Sequence, residues 1–197
     1  MQIKDYRNLL IAVTLIGILL FASPVIALFI KPPVGEQFSV IYMLGKNHTF
    51  DNVPFNVQAG IQYSLYLGVV NQMGSSQYYT CSVKLGDENS SLPDTTLETP
   101  SSLPALYEYK ALVLGGATWE TPLTFQITNA SFTNNVCELY GIALNEIQYS
   151  IDIPLFWDST HSGYYYNLLV ELSTYNSTTE SIYYANRYVL LALNMTQ

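Results

Sequence analysis

His48 and His161 are the only histidines in this 197-residue sequence. Each stands among small polar residues, the first in Asn47-His48-Thr49 and the second in Ser159-Thr160-His161-Ser162-Gly163. Metal binding by nitrogen or sulfur, and acid–base work by paired rings, need ligating side chains at short and regular spacing. Neither histidine has such a companion, and Met43 and Met73 do not stand at a spacing that would join them in a copper site. The sequence also lacks a Gly-X-Ser-X-Gly elbow, a glycine-rich phosphate loop and a Cys-X-X-Cys pair. The expectation is a protein that is not an enzyme and that carries no metal and no cofactor.

Covalent chemistry of another kind is well supplied. Five Asn-X-Ser/Thr tripeptides begin at Asn47, Asn89, Asn129, Asn176 and Asn194, each an acceptor for N-glycosylation if the surrounding loop is reachable. The two cysteines, Cys81 and Cys137, are expected to form a disulfide; two free buried thiols are the alternative. A bond between them would close a loop of about 56 residues and stabilise the fold by roughly 4 kcal/mol on the chain-entropy estimate. Runs of tyrosine place Tyr78, Tyr165 and Tyr183 opposite their core-facing neighbours in strands, which makes them candidates for an exposed aromatic contact patch.

These groups have to be positioned by two kinds of element. Residues 9–30 (LLIAVTLIGILLFASPVIALFI) carry no charge over a length that matches a bilayer's ~30 Å hydrocarbon core at about 1.5 Å rise per residue. Lys4 and Arg7 precede the run and favour a cytoplasmic N-terminus. The expected organisation is a short cytoplasmic tail at 1–8, a transmembrane signal anchor at 9–30, a linker at 31–37 and an extracellular domain at 38–197. A cleaved secretory signal, with Val25-Ile26-Ala27 at its end, is the rival reading. Residues 31–197 hold five basic side chains (Lys31, Lys46, Lys84, Lys110, Arg187) and fourteen acidic ones, a balance near −9 that disfavours nucleic acid as a partner.

Beyond residue 33 the apolar positions recur every second residue. Ile61 to Val69, Tyr79 to Leu85, Leu123 to Ile127, Ile147 to Ile153, Tyr164 to Leu172 and Tyr184 to Ala192 each read as a strand with one buried face. The predicted fold is all-β, an antiparallel immunoglobulin-like β-sandwich of seven to nine strands preceded by one N-terminal transmembrane helix. Residues 87–105, with three prolines among Ser and Thr, read as a long polar excursion between strands.

Several stretches carry a resemblance: Leu44-Gly45, Pro54-Phe55-Asn56-Val57, Asn71 with Gly74-Ser75-Ser76, Trp119-Glu120-Thr121-Pro122-Leu123, Asn186-Arg187-Tyr188 and Leu193-Asn194-Met195-Thr196. Over about Phe38 to Met195 the sequence resembles the domain of unknown function 1616 family of archaeal membrane proteins. The resemblance implies a place at a membrane and no catalytic residues. Longer members look as though they carry several membrane helices, where this chain has one apolar run.

The functional expectation is a single-pass cell-membrane protein, held in the bilayer through 9–30, whose extracellular domain mediates protein–protein contacts as a small subunit of an archaeal membrane complex or surface assembly. The alternative is an extracellular glycan- or peptide-binding module that uses exposed tyrosines.

Overall fold

A computed structural model describes residues 3–29 and 36–197. The chain divides into two compact units, Met1–Glu36 and Gln37–Gln197. The first contains α1 (Ile3–Phe29), a 27-residue helix rich in Leu, Ile and Ala. Side chains of α1 are described at 6, 7, 9–18, 20 and 21. Among the described residues no helix is long and apolar enough to cross a membrane. Those side chains stop short of the roughly 20 residues a crossing needs, so the transmembrane span over 9–30 stands on the sequence. Most of the expected linker at 31–37 lies outside the described residues.

The second unit is built from ten strands: β1 (Ser39–Gly45), β2 (Asn56–Gln58), β3 (Gln62–Asn71), β4 (Gln77–Asp87), β5 (Tyr107–Val113), β6 (Thr118–Thr133), β7 (Val136–Leu144), β8 (Ile147–Asp158), β9 (Gly163–Asn176) and β10 (Ser181–Thr196). They form one curled sheet with two five-stranded halves. One half runs β1-β3-β6-β7-β8 and the other β5-β4-β9-β10-β2. Only Trp157↔Tyr164 and Asp158↔Gly163 pair across the junction. All pairings are antiparallel except β10 with β2. The inward faces of both halves contribute to one core cluster, with Leu65, Leu67, Leu123 and Leu139 from the first and Tyr79, Val83, Tyr166 and Leu168 from the second. This is the alternation that the sequence shows, with one face of each strand turned to the core.

Two hairpins have two-residue loops with both residues at positive φ, Asn134-Asn135 and Asn145-Glu146. That geometry suits the twist of the flanking strands, and Asn tolerates it better than most residues. β10 departs from the expected face. Its odd-numbered residues Val189, Leu191, Leu193 and Met195 face the core, so the expected even-numbered face of Tyr184 to Ala192 lies outward; the register shift between Tyr184 and Arg187 inserts two residues opposite the Ser173–Leu172 step and leaves the odd-numbered face inward on both sides of it.

The excursion at 87–105 is fastened across the outward face of β4 and β9. Lys84 Nζ lies 2.7 Å from Glu171 Oε2 and donates to Ser101 O at 3.0 Å, while Ser101 N donates to Glu171 Oε1 at 2.7 Å. Lys84, Ser101 and Glu171 are all buried. Farther out Asn186 Nδ2 donates to Thr95 O at 3.0 Å, tying the loop to the bulge in β10.

Candidate contact groove

Asp158 ends β8 and its side chain organises the turn into β9. Its Oδ1 accepts from Thr160 N at 2.7 Å and its Oδ2 meets His161 Nδ1 at 2.5 Å. Tyr165, on the outward face of β9, donates its hydroxyl to His161 O at 2.8 Å, and the two rings meet edge to face at 6.2 Å. Phe55 arrives from the other side. Asn194 N donates to Phe55 O at 2.8 Å, β2 then runs parallel to β10, and the Phe55 ring lies 6.2 Å from that of Tyr165. With Glu88, Leu92 and Leu190 these side chains enclose an open groove of about 480 Å³.

Among the described residues no Lys or Arg lines the groove, whereas two carboxylates do. Asp158 is held below the ordinary carboxylate range, chiefly by its hydrogen bond with His161 and further by the Thr160 and His161 amides. Glu88 is exposed and has no hydrogen bond or ion pair among the described residues. Aromatic faces beside the exposed Glu88 carboxylate suit a cation with an aliphatic stem: the carboxylate attracts the charge and the rings take both stem and cation face. Among the described residues no group of three or more His, Cys, Asp or Glu gathers to hold a metal.

A second cluster lies on the outward face of the other half. His48 Nδ1 is 2.5 Å from Glu120 Oε1, Tyr42 donates to Glu120 Oε2 at 3.1 Å, and the His48 ring stacks on Tyr66 at 3.7 Å. The Tyr42 ring crosses Gly68, where a Cβ would come within 2.1 Å of it, so glycine is required for Tyr42 to reach Glu120. Burial and the Glu120 bond both raise the Tyr42 hydroxyl. The cluster braces the Asn47 turn and is open to solvent.

Tyr78, Tyr165 and Tyr183 do not make one patch. Tyr78 and Tyr165 share the outward face of their half, but Tyr165 pairs with Asn194 near the start of β9 and Tyr78 pairs with Leu112 at the far end. Tyr183 pairs with Thr174, which pairs with core-facing Tyr79, so it projects from the opposite face. Only Tyr165 joins the groove.

The expected disulfide is not formed. Cys81 on β4 and Cys137 on β7 are free, fully buried and carried by different halves of the sheet. Each fills a core position as a small apolar side chain does. Among the glycosylation acceptors, Asn47, Asn89 and Asn129 are exposed. Asn176 is half-buried and its Oδ1 accepts from Thr178 N and Thr179 N. Asn194 is half-buried inside β10, with its Oδ1 accepting from Tyr164 N and its Nδ2 donating to Asn56 Oδ1.

Phe55, Glu88, Asp158 and His161 escape sequence reasoning as a set because they come from three segments joined only by pairing. The one signal on the page was Pro54-Phe55-Asn56-Val57 together with Leu193-Asn194-Met195-Thr196, two stretches that pair with each other as β2 and β10.

A family model described as a domain of unknown function, DUF1616, matches residues 32–138. The closing Asn186-Arg187-Tyr188 and Leu193 to Thr196 lie beyond the matched span. No curated protein matches the chain. Among solved structures, a β-glucosidase from Listeria innocua in complex with gluconolactone is similar at a TM-score of 0.37 and 8% identity, over 82% of this chain and 16% of that one. A Bacteroides uniformis β-glucuronidase is similar at a TM-score of 0.33 and 10% identity, over 79% of this chain and 13% of that one. Likeness of that degree carries no argument about fold or catalysis.

Proposed function

The chain belongs to the DUF1616 family, a domain of unknown function, and from that premise we propose that it is a non-enzymatic, single-pass protein of an archaeal envelope. Its domain, 37–197, stands outside the cell and binds a partner protein through the groove at Phe55, Glu88, Asp158, His161 and Tyr165. The observation that carries this reading is the groove itself: a concavity with aromatic and aliphatic walls, two carboxylates, His161 held by one of them and, among the described residues, no Lys or Arg. The partner presents a lysine or arginine side chain. The uncharged run at 9–30 supports an anchor, and the exposed Asn47, Asn89 and Asn129 support glycosylation of the outer domain.

The pairing pattern favours an immunoglobulin-like sandwich as the finer description. Neighbouring β3 and β6 on one half, and β4, β9 and β10 on the other, match the B–E and C–F–G neighbours of that fold. The β7–β8 hairpin is a departure: it stands beside β6 where strand D would stand, yet follows β6 in the chain.

The test is native sizing of the full chain after gentle solubilisation of membranes. Recovery in a complex with a second protein is expected; recovery of the native protein only as a lone monomer would contradict the proposal.

A further inference from the structure

One end of the domain differs from the rest in both charge and apolar exposure. Residues 36–40, 72–78, 112–118 and 175–183 meet there: Gln72 N donates to Phe38 O, Gly116 N donates to Asn71 O, and Ser39 Oγ and the Tyr79 hydroxyl share a hydrogen bond at 2.5 Å that joins the two halves. Leu112 pairs with Tyr78, and Tyr175 with Ile182. Since Tyr79 pairs with Thr174, the next position outward sets Tyr78 beside Tyr175. Leu112, Tyr78, Tyr175 and Ile182 therefore form one row across β5, β4, β9 and β10 on the face turned away from the core. Leu112 is 68% exposed and Ile182 52%. Leu114 and Phe38 are exposed at the same end, as is Tyr183 on the opposite face of β10. Of the fourteen acidic residues in 31–197, these four segments contain only Glu36 and Glu180.

The chain also enters the domain here. Gln37 begins the unit at this end, and seven residues separate it from the last residue of α1. An acidic domain whose sparsely charged, tyrosine- and leucine-bearing end is the one that follows an apolar helix in the chain has the composition of a membrane interface on that end, where amphipathic rings sit at headgroup level.

We infer that this end of the domain is a lipid-contact surface: Tyr78, Leu112, Leu114, Tyr175 and Ile182 rest in the headgroup region of a phospholipid bilayer and fix the domain's orientation on it. The inference rests on the reading of 9–30 as a membrane anchor. It directs the groove, which lies at the start of β9, away from the membrane, while the row lies at the end of that strand. It also sets Asn176, which belongs to this end and caps its own turn, apart from the glycan acceptors.

The test uses the full chain in phosphatidylcholine nanodiscs, with Leu112→Cys, Ile182→Cys or, at the opposite end, Phe156→Cys labelled with bimane; the two native thiols are buried. Headgroup-spin-labelled lipid is expected to quench the labels at 112 and 182 several-fold more than the label at 156. Two reporters on separate strands guard against one variant failing to fold. Equal quenching at all three positions in protein retained by the discs would overturn the lipid surface and leave the anchor standing. Failure of the full chain to stay with the discs would overturn the anchor, and the inference with it.

Discussion

Lys84 and Glu171 form an ion pair of 2.7 Å on the outward face of the sheet, with both side chains buried because Ser101 closes over them. The pair fastens the 87–105 excursion, and removing one partner strands the other charge away from water. Lys84→Met is expected to destabilise the domain by about 3–5 kcal/mol, whereas Lys84→Met combined with Glu171→Leu should recover most of that loss. Urea denaturation of the two variants checks it; a double variant as unstable as the single one would refute the paired-charge account.

Burial raises the Cys81 thiol to about 12 and the Cys137 thiol to about 11, the latter helped by Glu138. At pH 8 both are protonated, and both are enclosed, so the native protein should react with a disulfide reagent only when it unfolds. Reductant should leave the melting temperature unchanged. A drop in Tm with reductant, or a mass showing the two cysteines linked, would contradict free thiols.

The strands around Leu65, Val83, Leu123 and Val170 were legible because each alternates cleanly over a buried face. β2, β5 and β7 were harder: β2 has three residues, β5 mixes Glu108 and Lys110 into a half-exposed run, and Gly141 interrupts β7. The buried face of β10 was misread because Val189, Leu190, Leu191, Ala192 and Leu193 are apolar in succession, so alternation does not decide which set faces the core. Sequence spacing placed Tyr78, Tyr165 and Tyr183 on exposed positions, but only register decides which ends and faces they share. The groove depends on the parallel pairing of β2 with β10, residues nearly the full domain apart, for which local pattern holds no information.

Asn194 and Asn47 should behave oppositely on substitution. Asn194→Ala removes two hydrogen bonds inside the ladder and is expected to cost about 1–2 kcal/mol. Asn47→Gln lies in an exposed turn and should leave stability unchanged while lowering the mass by one glycan. Denaturation and intact mass of the two variants decide it; loss of a glycan from Asn194→Ala in place of Asn47→Gln would reverse the assignment.

Asp158 titrates below the ordinary carboxylate value of about 3.9 because of His161. Its folded pKa is depressed, so its contribution to stability is complete above the unfolded value and is lost as pH falls through the folded one. His161→Ala removes the leading cause and should move the Asp158 titration upward toward the ordinary range. NMR titration of the carboxyl carbon reads this directly; a wild-type midpoint at or above the ordinary value would show that the His161 contact is not held in solution.

Charge reversal in the groove is the most direct test of the account as a whole. The full chain carrying Glu88→Lys, compared with wild type after cross-linking in native membranes, should lose the cross-linked partner while keeping its fold and its membrane fraction, because Glu88 is exposed and makes no internal contact among the described residues. The same partner recovered equally with wild type and Glu88→Lys, or no partner with either, would contradict a function carried by this groove.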